Sequence, residues 1–130
     1  MKILGIDYGR KKMGLSIATG KLAEPYKVIR IQEEEDATAK IGEIVKEEGV
    51  DEIIVGISEG AMGEETRSFG KRLSGRLGIN VEFWDETLST QDSQTLSIEA
   101  GLSRKKRKGL EDAFAATVML QSYLERRYDV

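Results

Sequence analysis

The 130-residue chain contains no cysteine and no histidine, only one proline, and no long apolar run. Without cysteine there are no thiol nucleophiles, disulfides, zinc ribbons or redox motifs. Without histidine there is no Ser-His triad, no imidazole metal site and no imidazole base working near pH 7. Catalysis would have to rest on carboxylates, hydroxyls, lysines, or hard cations held by oxygen. No stretch approaches the ~18–20 apolar residues of a membrane span, and the opening run Met1–Ile6 meets Asp7 too soon to form the apolar segment of a signal peptide. The expected protein is soluble and cytoplasmic, with a single domain over residues 1–130.

What the chain has is charge. Lys and Arg number 20 against 23 Asp and Glu, for a net charge of −3. Eight of the 20 basic residues fall in two short runs, Arg10-Lys11-Lys12 and Arg104-Lys105-Lys106-Arg107-Lys108. A basic footprint on an otherwise acidic body suits a polyanionic partner. A solvated lysine-rich loop would read the same way.

Apolar periodicity predicts strands over Lys2–Asp7, Gly14–Thr19 and Tyr26–Ile31, joined by short turns as an antiparallel meander. Pro25 is placed just before the third of these, where a missing N–H is tolerated. Ala37, Ile41, Ile44 and Val45 then recur at helical spacing, with Asp36 as a capping residue type and Gly49 as a stop. Ile53–Ile57 is continuously apolar, as expected of a strand covered on both faces. A glycine-rich loop, Ser58–Gly63, leads to a helix over about Glu64–Leu77 with Phe69, Leu73 and Leu77 on one face. Gly78 closes it, and Val81–Trp84 forms a fifth strand. Further helices are expected over about Gln91–Ala100 and from Leu110 to Leu124. The order implies an α/β fold: a mixed five-stranded sheet, an antiparallel meander followed by parallel strands, flanked by helices.

Three acids fall at the ends of elements that should be neighbours. Asp7 closes the first strand, Glu86 follows the fifth, and Asp112 lies in the first turn of the last helix beside Ala115 and Ala116. Singly, each also reads as a turn, loop or helix-dipole residue. Together they make a carboxylate set suited to Mg²⁺ or Mn²⁺, which take oxygen ligands and in pairs support phosphodiester hydrolysis. Trp84 reads as core rather than as a base-stacking platform, and Ser89 and Thr90 as helix caps.

Gly5-Ile6-Asp7-Tyr8-Gly9 with Gly14, then Gly56, Gly63, Asp85-Glu86-Thr87-Leu88-Ser89-Thr90 and Asp112-Ala113-Phe114-Ala115-Ala116 follow one another along the chain. In these motifs the sequence resembles the YqgF family, Holliday-junction-resolvase-like proteins regarded as candidate nucleases for the 5′ end of pre-16S ribosomal RNA. The resemblance spans roughly Lys2 to Tyr123 and implies an RNase H-like fold with Asp7, Glu86 and Asp112 as catalytic metal ligands. The chain departs from the family pattern at Lys12, Ser58 and Thr87, where Arg, Pro and Arg are usual. Both basic runs adjoin a proposed ligand and become candidate nucleic-acid contacts. The expected activity is metal-dependent cleavage of structured RNA or branched DNA by a monomer or homodimer. The alternatives are a four-way-junction resolvase, a non-catalytic nucleic-acid-binding or ribosome-assembly factor, and an actin-like nucleotide binder suggested by Asp7-Tyr8-Gly9 and Gly14.

Overall fold

The computed structural model describes residues 1–57, 61–85 and 111–128, without the side chains of residues 61, 111, 112 and 128. In chain order its elements are β1 (Ile3–Asp7), β2 (Lys12–Ala18), β3 (Ala23–Arg30), α1 (Glu34–Glu48), β4 (Glu52–Ile57), α2 (Ala61–Leu77), β5 (Asn80–Asp85) and α3 (Glu111–Tyr128). The five strands form one sheet in the order β3-β2-β1-β4-β5. The β1/β2 and β2/β3 pairs are antiparallel, while β1/β4 and β4/β5 are parallel. The expected meander-then-parallel sheet is therefore present.

Strand alternation divides the core between the two faces of the sheet. Leu4, Ile6, Leu15, Ile53 and Val55 pack toward Ile41 and Ile44 of α1 and Phe69 and Leu73 of α2. Ile3, Ala18, Ala23 and Ile54 face Met119, Leu120 and Leu124 of α3. With helices on both sides, β4 has no solvent face, and Ile53, Ile54 and Val55 are fully buried. Its continuous apolar run reflects that cover.

Helix α3 approaches the sheet closely because β1 offers a glycine at the contact. A Cβ on Gly5 would collide with Ser16 Oγ and stand 3.0 Å from Leu120 Cβ. Ser16 Oγ–H, in turn, donates to the Ala116 carbonyl at 2.9 Å. Lower down, Gln121 accepts from the Ala23 amide and Tyr123 donates to Glu52. Since Glu52 pairs with Ile3 and Ser16 with Gly5, α3 runs antiparallel to β1, with its N-terminus toward Asp7.

Some boundaries differ from expectation. Helix α1 begins at Glu34, and its N-cap is Glu33, which makes no side-chain capping bond; Asp36 instead joins Glu34 and Glu35 in an acidic first turn. These charges face the positive end of the helix dipole and take over the role of a cap. Helix α2 begins at Ala61, so the expected loop through Gly63 is helical from residue 61. Gly63 is buried there, and tertiary packing outweighs its low helix propensity. Pro25 lies inside β3, opposite Ser16. It is accommodated because β3 is an edge strand and the register shifts between Leu15 and Ser16. Gly49 ends α1 in the left-handed region, with φ 67°, as expected of a helix stop. The helix expected over Gln91–Ala100 lies outside the described residues.

Candidate active site

The three parallel strands, β1, β4 and β5, all end at the same edge of the sheet, and Asp7 is the last residue of β1. Alternation places it on the face shared by Ile3 and Gly5, the face covered by α3. Its partner on β2 is Gly14 and its partner on β4 is Gly56. Neither neighbouring strand therefore sets a side chain against this carboxylate in the same row. The row continues to Trp84, the partner of Gly56 on β5.

Asp112 occupies the second position of α3. It precedes Ala116 by one helical turn, roughly 6 Å. Asp7 lies two residues beyond Gly5, roughly 7 Å along the strand. Because Ala116 sits over the Ser16–Gly5 pair, the first turn of α3 lies level with Asp7. The fold thus brings the first strand and the start of the last helix to one end of the molecule. Glu86 follows Asp85 directly in sequence but lies outside the described residues, as do Ser58, Thr87, Ser89, Thr90 and Arg104–Lys108. Among the described residues no group of three Asp, Glu, His or Cys could hold a metal ion. Of the expected ligand set, only the Asp7 side chain belongs to those residues.

The first basic run forms the β1–β2 turn. Gly9 is required there, because a Cβ would strike the Lys12 carbonyl oxygen. Lys11 is exposed, and its carbonyl accepts from the Ile31 amide at 2.7 Å. Lys12, also exposed, opens β2 opposite Arg30. Arg10 is held by Glu65 of α2, a residue that sequence reasoning did not single out. Its Nε lies 3.0 Å from both Glu65 carboxylate oxygens, and its Nη2 lies 2.8 Å from Oε1. The Tyr8 hydroxyl donates to the same carboxylate at 2.7 Å, while the Tyr8 ring packs against Phe69 at 5.1 Å.

These bonds set the local protonation. Hydrogen bonds from Arg10 and then Tyr8 hold the Glu65 carboxyl below its ordinary value. The Tyr8 phenol is pushed well above the usual tyrosine value, first by burial and then by its bond to Glu65. Farther along α2, Arg72 pairs with Glu34 of α1, whereas Arg67, Lys71 and Arg76 are exposed. Trp84 is packed, as expected of a core residue: its Nε1–H donates to Ser122 at 3.1 Å, and its ring meets Tyr123 edge-on at 5.7 Å.

A mixed sheet of this order, with an acid closing its central strand and helices on both faces, defines an RNase H-like fold of the resolvase type. The chain covers 99% of its length on RuvC of Thermus thermophilus, solved in complex with a Holliday junction substrate, at a TM-score of 0.68 and 16% identity, spanning 96% of that chain. It matches the fowlpox virus resolvase, solved with Holliday junction DNA, at a TM-score of 0.65 and 14% identity over 99% of this chain and 100% of the other. Residues 1–126 match the family described as RuvX: Holliday junction resolvase, and the chain belongs to that family, the one its motifs resemble under the name YqgF. A Bacillus cereus protein named "Putative pre-16S rRNA nuclease" is 39% identical over 98% of this chain and 100% of its own length.

Proposed function

We propose that the protein is a nuclease that hydrolyses phosphodiester bonds in the 5′-end processing of pre-16S ribosomal RNA, with Asp7, Glu86 and Asp112 holding Mg²⁺ or Mn²⁺. The observation that carries this reading is the placement of Asp7 at the shared strand edge, between two glycines and level with the first turn of α3, where Asp112 stands. The donor set fits a hard cation: every proposed ligand is a carboxylate, and the chain has no histidine or cysteine to favour a softer metal. When bound, such ions activate the attacking water and stabilise the leaving oxygen.

The protein's own residues do the rest. Asp7 fixes the centre to the rigid middle of the sheet. Arg10, Lys11 and Lys12, which follow Asp7 in sequence, and Arg104, Lys105, Lys106, Arg107 and Lys108, which precede Asp112, neutralise backbone phosphates flanking the scissile bond. No helix among the described residues is long and apolar enough to cross a membrane, in keeping with a cytoplasmic RNA-processing role. The relative's name favours RNA, whereas the family description favours a branched DNA substrate.

The deciding experiment compares RNA bearing the pre-16S 5′ leader, a four-way DNA junction and plain duplex, each with and without Mg²⁺ or Mn²⁺. Metal-dependent cleavage of the leader, lost in Asp7→Asn, supports the proposal. Cleavage of the junction alone transfers the activity to DNA, and activity retained in Asp7→Asn refutes the site.

A further inference from the structure

We propose that Glu65 is a positioning residue that fixes the Arg10 guanidinium as a phosphate contact on the turn that follows Asp7, an assignment that rests on the nuclease reading above. The Glu65 carboxylate accepts from three donors, Tyr8 Oη and Nε and Nη2 of Arg10, with Nε reaching both of its oxygens. Tyr8 and Arg10 both belong to the turn that leaves Asp7. One carboxylate on α2 therefore pins that turn from the side opposite α3.

The geometry leaves Arg10 half used. A guanidinium carries five N–H donors in a planar fork, and Glu65 takes only the Nε–Nη2 edge. Both Nη1 donors and the second on Nη2 have no partner among the described residues. The side chain remains 68% exposed. Because the group is planar, clamping one edge aims the other. A lysine would present no such second edge. The outward edge suits a phosphodiester oxygen pair, which guanidinium binds through parallel N–H bonds. Its anchor is firm at both ends: Gly9 fixes the backbone against Lys12, and Tyr8 is seated on Phe69.

Charge alone makes the opposite prediction for Glu65. A carboxylate beside a polyanion repels it, so neutralising Glu65 would tighten RNA binding if its only effect were electrostatic or if it merely sequestered Arg10. If Glu65 aims Arg10, neutralising it weakens binding.

The test is a double-substitution cycle on the full chain, read by fluorescence anisotropy with a labelled RNA hairpin carrying a single-stranded 5′ extension, in EDTA so that no cleavage intervenes. Arg10→Ala should weaken binding roughly fivefold and lower the slope of log affinity against log salt by about 0.7, as one lost phosphate contact requires. Glu65→Gln should weaken it roughly threefold, and should cause no further weakening in the Arg10→Ala background. A loss that acts through folding would persist in that background, and would overturn the proposal. Equal or tighter binding by Glu65→Gln also overturns it, as does a wild type that does not bind the hairpin. A wild type that binds RNA but cleaves none when Mg²⁺ or Mn²⁺ is restored defeats the nuclease reading alone, and the binding cycle still decides the role of Glu65.

Discussion

Ser16 Oγ donates to the main-chain carbonyl of Ala116, 100 residues away in sequence, and both groups are buried. This bond and the absent side chain of Gly5 together set the height of α3 above the sheet, and hence the level of its first turn relative to Asp7.

Gly5→Val should therefore be destabilising even though valine is well suited to a strand. The added methyls have to displace Ser16 Oγ and Leu120, and overpacking of this kind costs about 1–3 kcal/mol. Urea denaturation measures it. An unchanged midpoint would show that α3 can lift off the sheet freely.

The phenols of Tyr8 and Tyr123 give a pH signature. Both are raised above the ordinary value of 10.0, first by burial and then by hydrogen bonds, to Glu65 for Tyr8 and to Glu52 and Glu82 for Tyr123. The folded chain keeps them protonated where the unfolded chain ionises. Their contribution to stability is complete below pH 10 and declines as pH rises through the folded-state values. Ultraviolet titration should show Tyr8 and Tyr123 ionising last among the described tyrosines, after Tyr26, which burial raises as well, and the Tyr8 component should be missing in Tyr8→Phe. Tyr8 and Tyr123 titrating at the ordinary value would contradict their bonds to Glu65 and Glu52.

Trp84 shares a row with Asp7, two strands away, or about 10 Å. It is the only tryptophan, so its fluorescence reports on that row alone. Paramagnetic Mn²⁺ bound at Asp7 should quench it saturably, and Asp7→Asn should abolish the saturable component. Quenching that is linear in Mn²⁺ and insensitive to the substitution would mean that no ion binds there.

The second basic run is tested by salt dependence. Lys105→Ala with Lys106→Ala should lower the salt slope of RNA binding by roughly 0.7 for each cation that touches a phosphate. The thermal midpoint should stay fixed. A slope equal to that of the wild type would remove the run from the interface.

Sequence pattern revealed the sheet where burial is complete: β1 and β2 carry unbroken buried stretches, Ile3–Ile6 and Met13–Ser16, and the run Ile53–Ile57 of β4 is apolar because both faces of that strand are covered. It failed at the start of α2, where glycines resemble a loop until the packing that buries Gly63 is known. The glycine motifs around Gly14 and Gly56 were visible as motifs, but only strand register shows that they flank Asp7 on both sides. Glu65 left no signal at all. An acidic residue on a charged helix is unremarkable in sequence, and its partners Tyr8 and Arg10 stand 57 and 55 residues upstream.

The placement of α3 also has a consequence for the order of assembly. β1 and β2 leave the ribosome early, and one face of each is covered only by α3, the last described element. Such long-range pairing delays folding, because the closure entropy must be met before any contact forms. Until α3 has been synthesised, Ile3, Ala18 and Ile54 have no helix to pack against, and Asp7 stands without the first turn that carries Asp112. A nascent chain therefore cannot form this site before α3 has been made, and the proposed activity begins only after that helix has docked.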